Sequence, residues 1–201
     1  MYSMADPEHE LDPEEQLPVV GIEPSEIYTL QDEFLDLLPA RRQEIEALSK
    51  RTWLLEELLI RPQKIDKEDE LRVTMMSHRS SLSERPKIVL HGHCYQKARP
   101  PADDGYPIGQ NASAELLRLL DYEVEIIPSG CCGMAGAFGY EAEHYNVSMQ
   151  VGELTLFPTV RQARQNGELV SAVGTSCRSQ IADGTNVQAQ HPIVLVANRL
   201  Q

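Results

Sequence analysis

The sequence predicts an α/β protein built on a parallel sheet with flanking helices. Three observations carry that expectation. From Lys87 onward, strand-like runs alternate with helical ones, as in KIVLHGHC, SAELLRLLD and YEVEIIPSG. The strands are apolar, as strands covered by helices must be. Strand, helix, strand in succession requires right-handed crossovers, which lay the strands parallel. At 201 residues, the chain can bury one good core or two small ones.

The elements follow in order. Residues 1–16, MYSMADPEHELDPEEQ, hold six acidic residues and no Lys or Arg, so they read as a solvated tail. An acidic start is the opposite of a secretory leader, and the cytoplasm is the expected compartment. LPVVGIEPSE (Leu17–Glu26) reads as a short buried strand entering a turn, with Ser25 placed to cap a helix. Ile27, Leu30, Phe34, Leu37 and Leu38 fall at helical spacing, and Pro39 ends that run. A second helix is expected over Arg41 to Leu59, with Ile45, Leu48, Leu55, Leu58 and Leu59 inward and its charges solvated. The mixed charged run Arg61–Pro86 has no period and reads as a connection or flap. It sets the domain boundary, giving a tail over 1–16, a first unit with its connection over 17–86 and a main domain over 87–201.

In the main domain KIVLHGHC is a strand and turn, SAELLRLLD a helix and YEVEIIPSG a strand. EHYNVSMQVGELTLFPTVRQARQNG is expected to be one long helix kinked by Pro158. ELVSAVGTSC is a third strand, followed by a helix from about Arg178 and a last one, HPIVLVANRL.

Composition removes several function classes. The net charge of −13 would repel nucleic acid phosphates. No apolar run approaches the ~20 residues of a membrane span. Four cysteines in a chain without an export signal favour reduced thiols over disulfides.

Those cysteines form a pattern. Cys94 ends the first strand of the main domain, Cys131 and Cys132 end the second, and Cys177 ends the third. The C-terminal ends of parallel strands share one edge, where such folds bind ligands, so four thiols from three loops should converge. Gly130, Gly133, Gly136 and Gly139 recur around the vicinal pair and allow main-chain amides to face a sulfur-rich centre. The same glycines lack the GxGxxG spacing of a dinucleotide loop. Inert buried thiols, a zinc site of four thiolates and a thiol redox pair are the other readings of these residues. His91 and His93 flank the approach to Cys94 as packing groups, orienting groups or ligands, and His144 is a similar candidate. Lys97, Arg178 and Gln180 are surface groups or holders of an anionic substrate.

HGHCYQKA (His91–Ala98), SGCCGMAGAFGYEAEHYNVSMQVGELTLFP (Ser129–Pro158) and GTSCRSQIADGT (Gly174–Thr185) resemble the CCG, or cysteine-rich, domain. That domain occurs in heterodisulfide reductase, in iron–sulfur subunits of glycolate oxidase and anaerobic glycerol-3-phosphate dehydrogenase, and at the C-terminus of FAD-linked 2-hydroxy-acid dehydrogenases. The resemblance is strongest to the last group and implies a Rossmann-like domain over residues 87–201. It also implies an iron–sulfur centre held by Cys94, Cys131, Cys132 and Cys177, relaying electrons from a flavin on a partner chain or another domain. Four cysteines suffice for a cubane [4Fe–4S] cluster but not for a five-cysteine one. Such domains come in tandem. VVGIEPSE resembles the end of a preceding copy in which Glu26 stands where the family has cysteine, so the first unit reads as a partial, degenerate copy without a second cluster.

Two functions follow. One is an electron-transfer module for a flavoprotein 2-hydroxy-acid dehydrogenase, and the other is a non-redox zinc-binding or docking subunit.

Overall fold

The computed structural model describes residues 17–61 and 85–200. The acidic segment and most of the 61–86 connection lie outside the described residues.

The first unit runs β1 (Val19–Gly21), α1 (Pro24–Ile27), a 3-10 turn (Tyr28–Leu30), α2 (Glu33–Leu37), a second 3-10 turn (Pro39–Arg41), α3 (Arg42–Ser49), β2 (Thr52–Leu54) and α4 (Leu55–Leu59). Two expectations fail here. The helix up to Leu38 is broken into short pieces, and Ser25 does not cap it. Pro24, whose fixed φ and missing N–H suit the first helical position, starts α1 with Glu23 in the capping position, and the Ser25 hydroxyl donates to Glu23 Oε1 at 3.2 Å. The helix expected over Arg41–Leu59 is interrupted by β2, which pairs in parallel with β1 from Val19↔Thr52 to Gly21↔Leu54. Thr52 and Trp53 favour extended backbone, and β1 supplies a distant partner that helical periodicity cannot register. The charged side of this segment is not all solvated either: Glu56 and Glu57 are both fully buried.

The main domain runs β3 (Lys87–His91), α5 (Cys94–Lys97), α6 (Gln110–Leu119), β4 (Glu123–Ile126), a 3-10 turn (Phe138–Tyr140), α7 (Tyr145–Glu153), α8 (Leu156–Gln165), β5 (Leu169–Ala172), α9 (Thr175–Thr185) and α10 (Pro192–Arg199). Its sheet has the order β4-β3-β5 with every pairing parallel, as the sequence predicts. Alternate side chains of the central strand enter opposite cores. Ile88 packs with Leu116 and Leu117 of α6 and Leu195 of α10, whereas Val89 packs with Phe157 and Val160 of α8 and Ile181 of α9. Helices therefore cover both faces of a Rossmann-like α/β sheet.

The long helix expected over α7 and α8 is two helices. The break lies at Thr155 (φ −151°) rather than at Pro158. Restarting there puts Pro158 in the first turn of α8, where a missing N–H costs no helical hydrogen bond.

The first unit is fastened to the main domain. Ile27, Tyr28 and Leu54 pack on Val173, and the Glu57 carboxylate accepts from Tyr28 Oη (2.6 Å) and the Gly109 amide (2.8 Å). Arg99 pairs with Asp32 at 2.5 Å. His191 accepts the Ile193 amide on Nδ1, so its proton sits on Nε2 and is donated to the Ile22 carbonyl at 3.1 Å. Glu23 reaches from the start of α1 to accept the Thr175 amide at 2.8 Å, capping α9 from 152 residues away.

Candidate metal centre

The cysteines lie just past the strands rather than on their last residues. Cys94 opens α5, three residues beyond β3, and Cys177 sits in the first turn of α9, beyond β5. Cys131 and Cys132 follow β4 in the loop to α7. All four are free thiols.

They are not equivalent. Cys132 and Cys177 are buried, and their sulfurs lie with a ring nitrogen of buried His91 so that the three ligand atoms are all within 4.8 Å of one another. Cys131 is half-buried and next to Cys132 in the chain; Cys94 is exposed, with Sγ 3.9 Å from His93 Nδ1. The arrangement is a buried His91–Cys132–Cys177 group continued outward by Cys131 and Cys94. The sequence left His91 open between packing and ligation. The structure commits Nδ1 to Ser129 Oγ at 2.8 Å, so Nε2 is the ring nitrogen left for a metal.

The local chain explains the placement. His93 and Gln96 form a capping box, with His93 Nδ1 accepting the Tyr95 amide (3.2 Å) and Gln96 Oε1 the His93 amide (3.0 Å). That turn presents Cys94. In the vicinal loop Gly133 has φ +103°, a conformation that a side chain opposes, and its amide donates to Cys131 Sγ at 3.3 Å. A main-chain donor does face the Cys131 sulfur. Gly130 is different: its φ is not positive and a Cβ there would meet nothing within 4 Å, so the expected close approach does not occur at that residue. At Gly174 a Cβ would crowd the His93 ring and come within 3.2 Å of Cys177 Sγ, which places His93 over the start of α9.

The electrostatics oppose free thiolates. The bond to Cys132 and then burial push Cys131 well up. The bond from Cys131 lowers Cys132, but its bond with Cys177 and burial outweigh it, and the thiol is pushed up to about 12. Burial, then the nearby Cys131, raises Cys94. Burial holds His91 down to about 3, so it is a neutral imidazole, the form that binds metal.

The remaining candidates have structural roles. Gln180 is buried and donates to Ser148 Oγ (2.9 Å) and its carbonyl (3.2 Å), joining α9 to α7. Arg178 donates to the carbonyls of Ala172 and Val173 at the end of β5. His144 stacks on Phe138 with ring centroids 4.2 Å apart and pairs with Glu141 at 2.6 Å. Lys97 is half-buried, and its ammonium group donates to the carbonyls of Ser129 and Gly130, both at 2.7 Å. Glu26 is exposed, and among the described residues the His91 group is the one set of three or more metal-binding side chains. Ser129 and Glu23 escaped the sequence reading; the serine before GCCG was the available signal for the first, and nothing local signals the second.

No family model matches the sequence. The chain is 29% identical over 179 residues to the D-2-hydroxyglutarate dehydrogenase of Escherichia coli (strain K12), covering 88% of this chain and 15% of that protein. It is 24% identical over 177 residues to the protein of that name from Haemophilus influenzae, covering 88% and 16%. To the C subunit of the anaerobic glycerol-3-phosphate dehydrogenase of E. coli K12 it is 26% identical over 190 residues, covering 92% and 41%. The chain thus spans less than half of the curated relatives it matches. Those relatives are dehydrogenases or a dehydrogenase subunit, which supports a redox-related module. No helix among the described residues is long and apolar enough to cross a membrane.

Proposed function

We propose that this chain is the iron–sulfur electron-transfer module of a flavin-dependent 2-hydroxy-acid dehydrogenase, with Cys94, Cys131, Cys132 and Cys177 holding a [4Fe–4S] cluster. One observation carries the reading: soft sulfur donors from three segments gather past the ends of β3, β4 and β5, with the Gly133 amide directed at Cys131. Thiolate sulfur is the donor that such clusters require, and amide donors to sulfur are a means of tuning them. When bound, the cluster would accept and release single electrons. The chain's own residues hold the sulfurs, keep His91 neutral and exclude water from Cys132 and Cys177. The flavin, the substrate site and the electron's source belong to a partner chain or domain, and the cytoplasm is the proposed setting.

The raised thiols also argue against a thiol redox enzyme. Such an enzyme needs a thiolate near neutral pH, and Cys131 and Cys132 are both shifted the other way. A metal removes this obstacle by displacing the proton.

The compact His91–Cys132–Cys177 group supports a second reading, zinc. One imidazole and two or three thiolates are a common zinc donor set, and ligands ~2.0–2.3 Å from one ion fit separations under 4.8 Å. Anaerobic purification followed by iron, acid-labile sulfide and zinc analysis separates the two. About four irons and four sulfides per chain support the cluster; one zinc in a colourless protein supports the alternative.

A further inference from the structure

Lys97 closes α5, the turn that begins with Cys94, and its amide is tied to the His93 carbonyl at 3.1 Å. Its ammonium group is already engaged by oxygens of the chain. It donates to Ser129 O and Gly130 O at 2.7 Å each and approaches Ser129 Oγ at 3.5 Å. Three donors thus meet three oxygens on the segment directly before Cys131. Ser129 Oγ is in turn 2.8 Å from His91 Nδ1. Through one side chain the Cys94 segment, the vicinal cysteine loop and the buried histidine are joined.

The charge matters as well as the bonds. Burial lowers the pKa of the Lys97 ammonium group, and the nearby Cys177, Cys94, Cys132 and Cys131 work the other way and favour its charged form. Four thiolates around a divalent ion or a cubane cluster leave net negative charge in a partly buried site, where an adjacent positive charge is screened less than at a surface.

We propose that Lys97 is the positioning and charge-compensating residue of this centre: it fixes the Cys94 turn against the Ser129–Gly130 carbonyls and offsets the negative charge that a bound metal–thiolate group carries. The inference rests on the metal-centre reading above. Methionine keeps the length of the side chain but removes charge and donors; arginine keeps the charge and can donate to two carbonyls.

The test is Cd²⁺ binding to the reduced full chain, followed by thiolate-to-metal charge-transfer absorption in competition with a chelator. Lys97→Met should weaken Cd²⁺ at least tenfold, whereas Lys97→Arg should stay within about threefold of the parent; Lys97→Gln replaces the methionine variant should that fail to fold. After anaerobic reconstitution with iron and sulfide, the methionine variant should have a more negative midpoint potential, and arginine should restore it. That charge-dependent rescue is a readout that mere packing would not give. Parent-like Cd²⁺ affinity in a folded Lys97→Met chain overturns the assignment of Lys97 alone. A parent chain that binds neither Cd²⁺ nor iron overturns the metal-centre reading, and this inference with it.

Discussion

Replacing Gly133 by alanine tests whether the vicinal cysteine loop is shaped by the packing observed around it. The residue has φ +103°, which for an alanine costs about 1–3 kcal/mol. An added Cβ would also be driven against the Ser148 carbonyl oxygen, and would sit 2.9 Å from Gln180 Nε2 and 3.0 Å from the Ser148 carbonyl carbon. The oxygen is main chain, inside α7. Its residue is fully buried, hydrogen-bonded from its amide to the His144 carbonyl at 2.9 Å and held by Gln180 from α9. Overpacking of this kind costs about 1–3 kcal/mol more. The two together give about 2–6 kcal/mol, a large part of the stability of an ordinary domain.

The cost falls on folding as well as on metal binding, because the Cβ strikes a helix and not only the loop. Of the two, the loop has fewer restraints, so it should yield first and withdraw the Gly133 amide from Cys131 Sγ. The assay is urea unfolding together with Cd²⁺ titration on one preparation, with Gly130→Ala as the control. Gly130 has no positive φ and open space at its Cβ, so that control should stay within about 0.5 kcal/mol of the parent. A Gly133→Ala chain with parent-like unfolding and parent-like metal affinity would refute the reasoning.

Three further outcomes are expected. Burial raises the Glu56 carboxyl from 4.5 to about 8, so its contribution is present below pH 4.5 and is lost as pH rises through 8. Glu56→Gln should therefore gain stability over the parent across that interval, by at most about 5 kcal/mol above pH 8, and parallel stability–pH curves would contradict this. Glu23→Ala removes the acceptor that caps α9 and should lose about 1 kcal/mol in urea unfolding together with weaker Cd²⁺ binding; an unchanged unfolding midpoint would show that the cap does not matter. Glu26→Cys should leave iron content unchanged after reconstitution, because position 26 is exposed and lies outside the His91 metal-binding group, and a doubling would overturn that account.

What was legible in the sequence follows from how far each signal reaches along the chain. The apolar runs at Lys87, Glu123 and Leu169 declared their strands, and the residues after them declared the edge where the cysteines collect. β2 was hidden because Thr52–Leu54 is too short to have a period and owes its extended form to β1, more than thirty residues away. The charge pattern around Leu55–Leu59 misled for a related reason. Glu57 is buried because Tyr28 and Gly109 wait for it, and neither is visible from WLLEELL. Lys97 looks like a surface residue until the Ser129 and Gly130 carbonyls are placed beside it.

The partners of the first unit give it a role in the main domain. Its Glu23 holds the N-terminus of α9, two residues before Cys177, and its Ile22 carbonyl takes the proton of His191, which itself caps α10. Its Glu57 holds Gly109, directly before α6. Each attachment is made at the start of a main-domain helix, where amides lack partners within the helix and a carboxylate or histidine from elsewhere is favoured by the helix dipole or by an open hydrogen bond. Glu26 takes no part in these contacts. The unit therefore braces the helix that carries Cys177, and changes that loosen β1 and α1 should be felt at the thiols before they are felt in the β4-β3-β5 sheet.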